Sequence, residues 1–340
     1  MKQSQLKSSL AATLLLIGLC SFPGIQVKGV QAKSALNFDT ATGREIMQAV
    51  YDQHLRYPYI YEELSMVTHD RKGNKETKSL RFFSRAEAVN GIKMLLLFDS
   101  PRELEGVAFL AQRSKGGALV SELHLPAFEQ SMINNSGDDA DINFLGTDFT
   151  IENLIGEDLD KYFYQRQRDT IVDDTYYYVI DVFHANRNEN DRHYLLRRHY
   201  LLQDNLFITR TDYFDSIGRL RKRQSAHDLV QVTSNVWNAN MRLMEDFLRE
   251  SKTLFKVNRR VYSADYVPEK VFSTQWLYEN GRRNLSPEMD LEIDSEPKQD
   301  LENTTDQLSG ETLEPDTQFL SERVAKPVTV ADNLVEVLFP

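Results

Sequence analysis

From residue 59 onward, apolar and polar side chains alternate with a period of two, the spacing of a strand with one covered face. Ile60, Leu64 and Met66 fall on one side of the first such segment, and Glu63 and Ser65 on the other. Asp70-Arg71-Lys72-Gly73-Asn74 then predicts a turn, after which alternation resumes over 80–84 and 92–98. In the latter, Ile92, Met94, Leu96 and Phe98 form one apolar face while Leu95 and Leu97 add to the other, so both faces of that strand are covered. Further strands are expected at 107–112, 118–125, 161–168, 176–183, 194–202, 206–213, 220–232, 236–247 and 253–262, with a hairpin turn at Asp215-Ser216-Ile217-Gly218. Strands that follow one another this closely, with few helical patterns between them, predict an antiparallel meander rather than a parallel βαβ sheet.

Two segments break the alternation. Thr42 and Glu45 have capping-box spacing, and Ile46, Met47, Val50 and Tyr51 recur at three-to-four spacing, which predicts a helix laying its apolar stripe on the sheet. Between 126 and 159, Asn134, Asn135, Gly137 and nearby acids predict a helical or irregular stretch.

The ends differ from the body. Lys2 and Lys7, an apolar stretch over 10–20 and a small-residue exit at Val30-Gln31-Ala32 describe a secretory leader, residues 1–32, cleaved after Ala32. Leu19 precedes Cys20 where an acylation site needs a small residue, so no lipid attachment is expected there. Cys20 is the single cysteine, so a cleaved chain has no disulfide and no thiolate chemistry. The net charge of −11 resides in residues 285–340, which hold fourteen acids and three basic residues. Pro287, Pro297, Pro315 and Pro327 lie among those acids, the composition of a disordered tail. Residues 33–284 form the folded domain; with 34 basic and 37 acidic side chains they lack the basic face a nucleic-acid partner needs. The cluster Arg219, Arg221, Lys222 and Arg223 is expected to be a solvated strand end.

No arrangement of reactive groups stands out. The histidines at 54, 69, 124, 184, 193, 199 and 227 have no zinc-protease spacing, and no acid lies between His193 and His199. Asp139, Asp141 and Asn143 begin like a calcium loop, but Phe144 stands where the turn glycine belongs and Thr150 where the bidentate acid belongs. Asp158 with Asp160 and Glu62 with Glu63 are expected to be solvated charge rather than a glycosidase pair. Tyr57, Tyr59, Tyr61, Tyr176, Tyr177 and Tyr178 have the chemistry to stack on sugars, but strand-face packing is the commoner cause. There is no nucleophile elbow, phosphate loop or dinucleotide fingerprint. No catalytic residue, metal or cofactor is therefore assigned, and the chain is expected not to be an enzyme.

Four segments resemble the outer-membrane lipoprotein-sorting proteins, relatives by fold of the periplasmic lipoprotein carrier. They are Ser100-Pro101 with Leu104, Gly106, Ala108, Phe109 and Leu110; Leu123, Leu125, Pro126 and Ala127; Phe144-Leu145-Gly146-Thr147-Asp148-Phe149-Thr150 with Glu152, Leu154, Asp158, Leu159 and Tyr162; and the Asp215 turn with Leu220, Lys222, Trp237, Met241, Thr253, Pro268, Phe272 and Leu277. Gly146, Asp148 and Phe149 are the motif positions of the most specific match. The resemblance implies a mainly β fold with helices, an open, strongly curved antiparallel half-barrel whose helices cover the concave face. It also implies an apolar hollow for acyl chains. Leu64, Met66, Phe82, Met94, Leu96, Phe98, Phe109, Leu123 and Leu125 are the expected lining. Two features depart from the family: Ala118-Leu119-Val120-Ser121-Glu122 stands where it has a tryptophan-containing strand, and the acidic tail is an addition. The implied function is a periplasmic carrier or chaperone for a lipid or lipoprotein, with an inner-membrane exporter or outer-membrane acceptor as a further partner. The alternative is an envelope interaction or sensor module that uses the same curved sheet to recognise a protein.

Overall fold

The structure, a computed structural model, describes residues 36–87, 91–114, 119–126, 130–134, 143–185, 194–233 and 236–280. The leader at 1–32, the acidic segment 285–340, Asp139, Asp141 and His193 lie outside the described residues. All elements below belong to the unit Phe38–Pro340.

Helix α1 (Gly43–His54) is followed by β1 (Tyr59–His69), β2 (Lys75–Glu87), β3 (Gly91–Ser100), β4 (Ala108–Arg113), β5 (Leu119–Leu125) and β6 (Gln130–Asn134). A 3-10 turn (Phe144–Gly146) and α2 (Ile151–Ile155) lead to β7 (Tyr162–Arg166), β8 (Thr170–Val172), β9 (Thr175–His184), β10 (Arg197–Leu202) and β11 (Ile208–Phe214). Then come β12 (Leu220–Thr233), β13 (Val236–Asp246), β14 (Ser251–Val261), a second 3-10 turn (Glu269–Phe272) and α3 (Thr274–Asn280). The alternating segments form strands as expected. Asp70 accepts from the amides of Lys72 and Asn74 in its turn, and Asp215 does the same for Ile217 and Arg219. β6, β8 and the C-terminal turn and helix were not expected.

The strands form one antiparallel sheet in the order β6-β5-β4-β3-β2-β1-β14-β13-β12-β11-β10-β9-β7, with β8 on β9. It is two meanders joined where β1 pairs with β14, and it stays open. The sheet is strongly curved. β4 and β10 are eight strands apart in this order, about 38 Å on a flat sheet at roughly 4.8 Å per strand. Yet Arg113 of β4 donates to the carbonyl of Gly156, while the next residue, Glu157, meets Arg197 of β10. So short a bridge requires the sheet to wrap around it.

Each face has its own apolar cover. On the concave side Leu64, Leu80 and Phe98 stand opposite one another across β1, β2 and β3, and join Met66, Met94, Leu96, Met244 and Phe255. The segment 144–155 fills the space over them with Phe144, Phe149, Ile151 and Ile155. Helix α1 starts at β7, where Gly43 comes so near the backbone that a Cβ would lie 2.7 Å from the carbonyl oxygen of Tyr164. Thr42 and Glu45 form the expected capping box, and α1 ends with His54 beside Arg242 of β13. On the convex side Tyr61, Phe83, Leu95, Leu97 and Leu110 lie under Tyr266, Val267, Val271, Phe272, Trp276 and Leu277. The doubly apolar β3 explains this second cover, since Leu95 and Leu97 would otherwise face water.

Candidate functional site

Among the described residues, Phe144, Phe149, Ile151 and Ile155 of the 144–155 segment pack on the concave face. Between the 144–157 segment, hereafter the plug, and strands β1, β2, β3, β13 and β14 lies a cavity of about 40 Å³. That is room for roughly three waters, far short of the roughly 300–1,000 Å³ of a small-molecule site. Leu64, Phe82, Leu96, Phe149, Leu154, Phe255 and Val257 line most of it, and Glu62, Asn153, Asn240, Arg242 and Arg260 are its polar lining.

The plug is held differently on its two sides. Toward β3 and β4, Phe144 stacks on Phe98 at 6.3 Å between centroids and meets Phe109 edge-on at 5.1 Å. Phe149 meets Phe255 at 5.0 Å. Toward β7 and β10 the contacts are ionic. Arg197 Nη1 donates to Glu152 Oε2 at 2.6 Å, and its Nε lies 2.9 Å from Glu157 Oε1. His199 Nε2 lies 2.8 Å from the same oxygen. Tyr162 and Tyr164 donate to Glu152 and Glu157 at 2.6 and 2.9 Å. Burial alone would raise the Glu157 carboxyl, but Arg197, His199 and the hydrogen bonds outweigh it and hold the group at about 2.

The motif residues are the plug's fastening. Gly146 has φ +79°, a left-handed conformation that suits glycine. Asp148, 2% exposed, accepts from Ser251 at 2.6 Å and from Thr253 at 2.8 Å, while its own amide donates to Thr253 Oγ1. Lys222 Nζ donates to the Asp148 carbonyl and to Asn143 Oδ1. Phe149 is fully buried. These positions tie plug to sheet.

Of the expected lining, Leu64, Met66, Met94, Leu96, Phe98 and Phe109 are buried in one concave cluster, with Phe82 and Leu123 half-buried against it. Leu125, at the end of β5, is half-buried and outside that cluster. Three expectations of solvated charge hold only in part: Asp160, Arg219 and Arg221 are exposed, but each group has a member turned inward. Glu62 is buried and accepts from Arg260 Nε at 2.5 Å. Asp158 is buried and accepts from the amide of Asp160. Lys222 is buried under the plug, and Arg223 bonds Asp212 at 2.7 Å. In each case the strand face or turn points the charge inward to a partner, which adjacency along the chain does not reveal. Among the described residues no group of three His, Cys, Asp or Glu side chains is placed to hold a metal.

A family model described as "uncharacterized protein" matches residues 91–279, more than half of the chain. The chain belongs to that family. The family span takes in the plug and strands β3 to β14. No curated protein matches the sequence significantly. Among solved structures, the chain is similar to a candidate outer membrane lipoprotein-sorting protein domain from Vibrio parahaemolyticus, with TM-score 0.62 and 21% identity over 69% of this chain and 98% of that one. A DUF1329 family protein from Desulfovibrio piger follows, with TM-score 0.56 and 22% identity over 66% and 98%. A LolA superfamily protein from Nitrosomonas europaea has TM-score 0.53 and 16% identity over 69% and 99%. The family member described here therefore has the lipoprotein-sorting fold, as its motifs implied.

Proposed function

We propose that this chain is an exported, cofactor-free, non-enzymatic carrier or chaperone that takes up an acyl chain of a lipid or lipoprotein on its concave face, in place of the plug's apolar side chains. The observation that carries the reading is the concave cluster: eight of the nine expected lining residues lie in or against it, beneath a segment whose apolar side chains an acyl chain could replace in kind. Each buried methylene contributes about 0.8 kcal/mol, so one chain of ordinary length offsets the loss of Phe144 and its neighbours. Met66 and Met94 suit a surface that repacks around different chains. Among the described residues no helix is long and apolar enough to cross a membrane, and the leader motif supports a periplasmic location.

Lipid extraction of purified protein followed by mass spectrometry, together with titration of a fluorescent long-chain fatty acid, tests this. The expected result is co-purifying lipid or saturable binding; neither lipid nor binding overturns it.

The second reading, a module that recognises a protein partner, draws on the edge hairpin of β8 and β9, where Ile171, Val172 and Tyr176 are exposed. An Ile171→Asp variant that loses a captured partner yet binds fatty acid normally would favour it.

A further inference from the structure

The cavity has an apolar and a polar lining, and the two arginines of the polar lining are not equivalent. Arg260 is engaged through each of its three nitrogens: Nε donates to Glu62 Oε1 at 2.5 Å, Nη1 to Asn240 Oδ1 at 3.1 Å and Nη2 to the Ala239 carbonyl at 2.7 Å. Arg242 makes a single hydrogen bond among the described residues, from Nη2 to Asn238 Oδ1 at 3.0 Å, and no carboxylate there lies within ion-pair distance. A guanidinium carries five N–H donors in a planar fork. Most of those on Arg242 are left without a protein acceptor in a residue that lines the cavity.

The surrounding groups sharpen the imbalance. Among the described residues Glu62 is the one acid lining the cavity, and Arg260 already holds it. Asn240 gives its amide to Asp228 and Asn153 gives its own to Tyr213. Burial pushes the Arg242 guanidinium below its ordinary value; Glu62 pulls it back and Arg260 pushes it down again. Arg242 is half-buried, and a partly desolvated cation with spare donors gains most from an anion or ordered water that meets it.

We propose that the polar lining is a headgroup site in which Arg242 receives the oxyanion of an anionic amphiphile, a carboxylate or a phosphate, while the attached chain lies along Leu64, Phe82, Leu96, Phe255 and Val257. The inference rests on the carrier reading and narrows its ligand to acyl compounds whose head is negatively charged. Arg260, already neutralised by Glu62, is the positioning residue that fixes the floor of the site.

Purified protein is titrated with three probes of equal chain length: a fluorescent long-chain carboxylate, the corresponding alcohol, and the corresponding phosphate monoester. The wild type is expected to bind at least one anionic probe about tenfold or more tighter than the alcohol, the scale of one or two charge-assisted hydrogen bonds. Whichever anion binds tighter names the source, free fatty acid or phospholipid-type head. Arg242→Gln is expected to abolish the preference, so that the anionic probes bind no tighter than the alcohol, and Arg242→Lys to retain part of it. Equal binding of acid and alcohol by the wild type, or a preference that survives in Arg242→Gln, overturns the headgroup site while the carrier reading stands. No binding of any probe overturns the carrier reading itself. If Arg242→Gln fails to fold, the wild-type ratio and the Arg242→Lys variant still decide.

Discussion

The two sides of the plug use opposite kinds of contact. At β3 and β4 it is held by aromatic rings, Phe144 on Phe98 and Phe109; at β7 and β10 it is held by Glu152 and Glu157 against Arg197, His199 and two tyrosines. Apolar contacts are not directional, and another apolar body can take their place. A buried ionic cluster holds only with all of its partners present, and removing one leaves charge stranded. On the proposed function, the aromatic side is the one an acyl chain replaces and the ionic side the one that stays fixed.

Breaking the fixed side carries the largest expected effect. Arg197→Leu leaves two buried carboxylates without their cation and is expected to cost about 3–5 kcal/mol of stability, read by chemical denaturation; a loss under about 1 kcal/mol would show that the cluster does not anchor the plug. The same cluster predicts the acid response. The Glu157 carboxyl is held at about 2, below its ordinary value of 4.5. Its contribution is therefore complete above pH 4.5 and is lost as pH falls toward 2. Thermal melts across that window are expected to fall more steeply for the wild type than for Glu157→Gln, and parallel curves would contradict the assignment.

On the replaceable side, Phe144→Ala is expected to cost about 3 kcal/mol in the empty protein, but to bind a long-chain carboxylate more tightly than the wild type because less must be displaced. Weaker binding would mean that Phe144 supports the ligand instead of competing with it. Asp148→Asn keeps the shape of the fastening but removes the charge that Ser251 and Thr253 serve, and is expected to cost about 2 kcal/mol. Far from both sides, Thr42→Ala removes the α1 cap and is expected to cost only about 1 kcal/mol, with ligand affinity unchanged. A change in affinity there would tie α1 to gating.

Much of this was legible in the residues because strand alternation, turn chemistry and helix caps are local signals. The run 92–98 announced a strand covered on both faces, and the Thr42 and Glu45 spacing announced α1. What escaped was non-local or short. The β1 to β14 pairing joins segments almost two hundred residues apart, and no local pattern encodes it. β6 and β8 are brief, and the first holds Gln130, Ser131 and Asn134, which read as loop. The convex cover has its apolar residues scattered around Pro268 with no sustained period. The polar lining of the cavity was missed for another reason. Glu62, Arg242 and Arg260 sit on strands whose polar positions normally face water, and only curvature and the plug make those faces interior.

The decisive measurement is hydrogen exchange across residues 144–157 with and without a saturating long-chain carboxylate. If an acyl chain replaces the plug's apolar side, these amides, including that of Asp148 now held by Thr253, exchange faster in the loaded protein while β3 stays protected. Unchanged or stronger protection of the segment, with the ligand shown to be bound, would contradict the account.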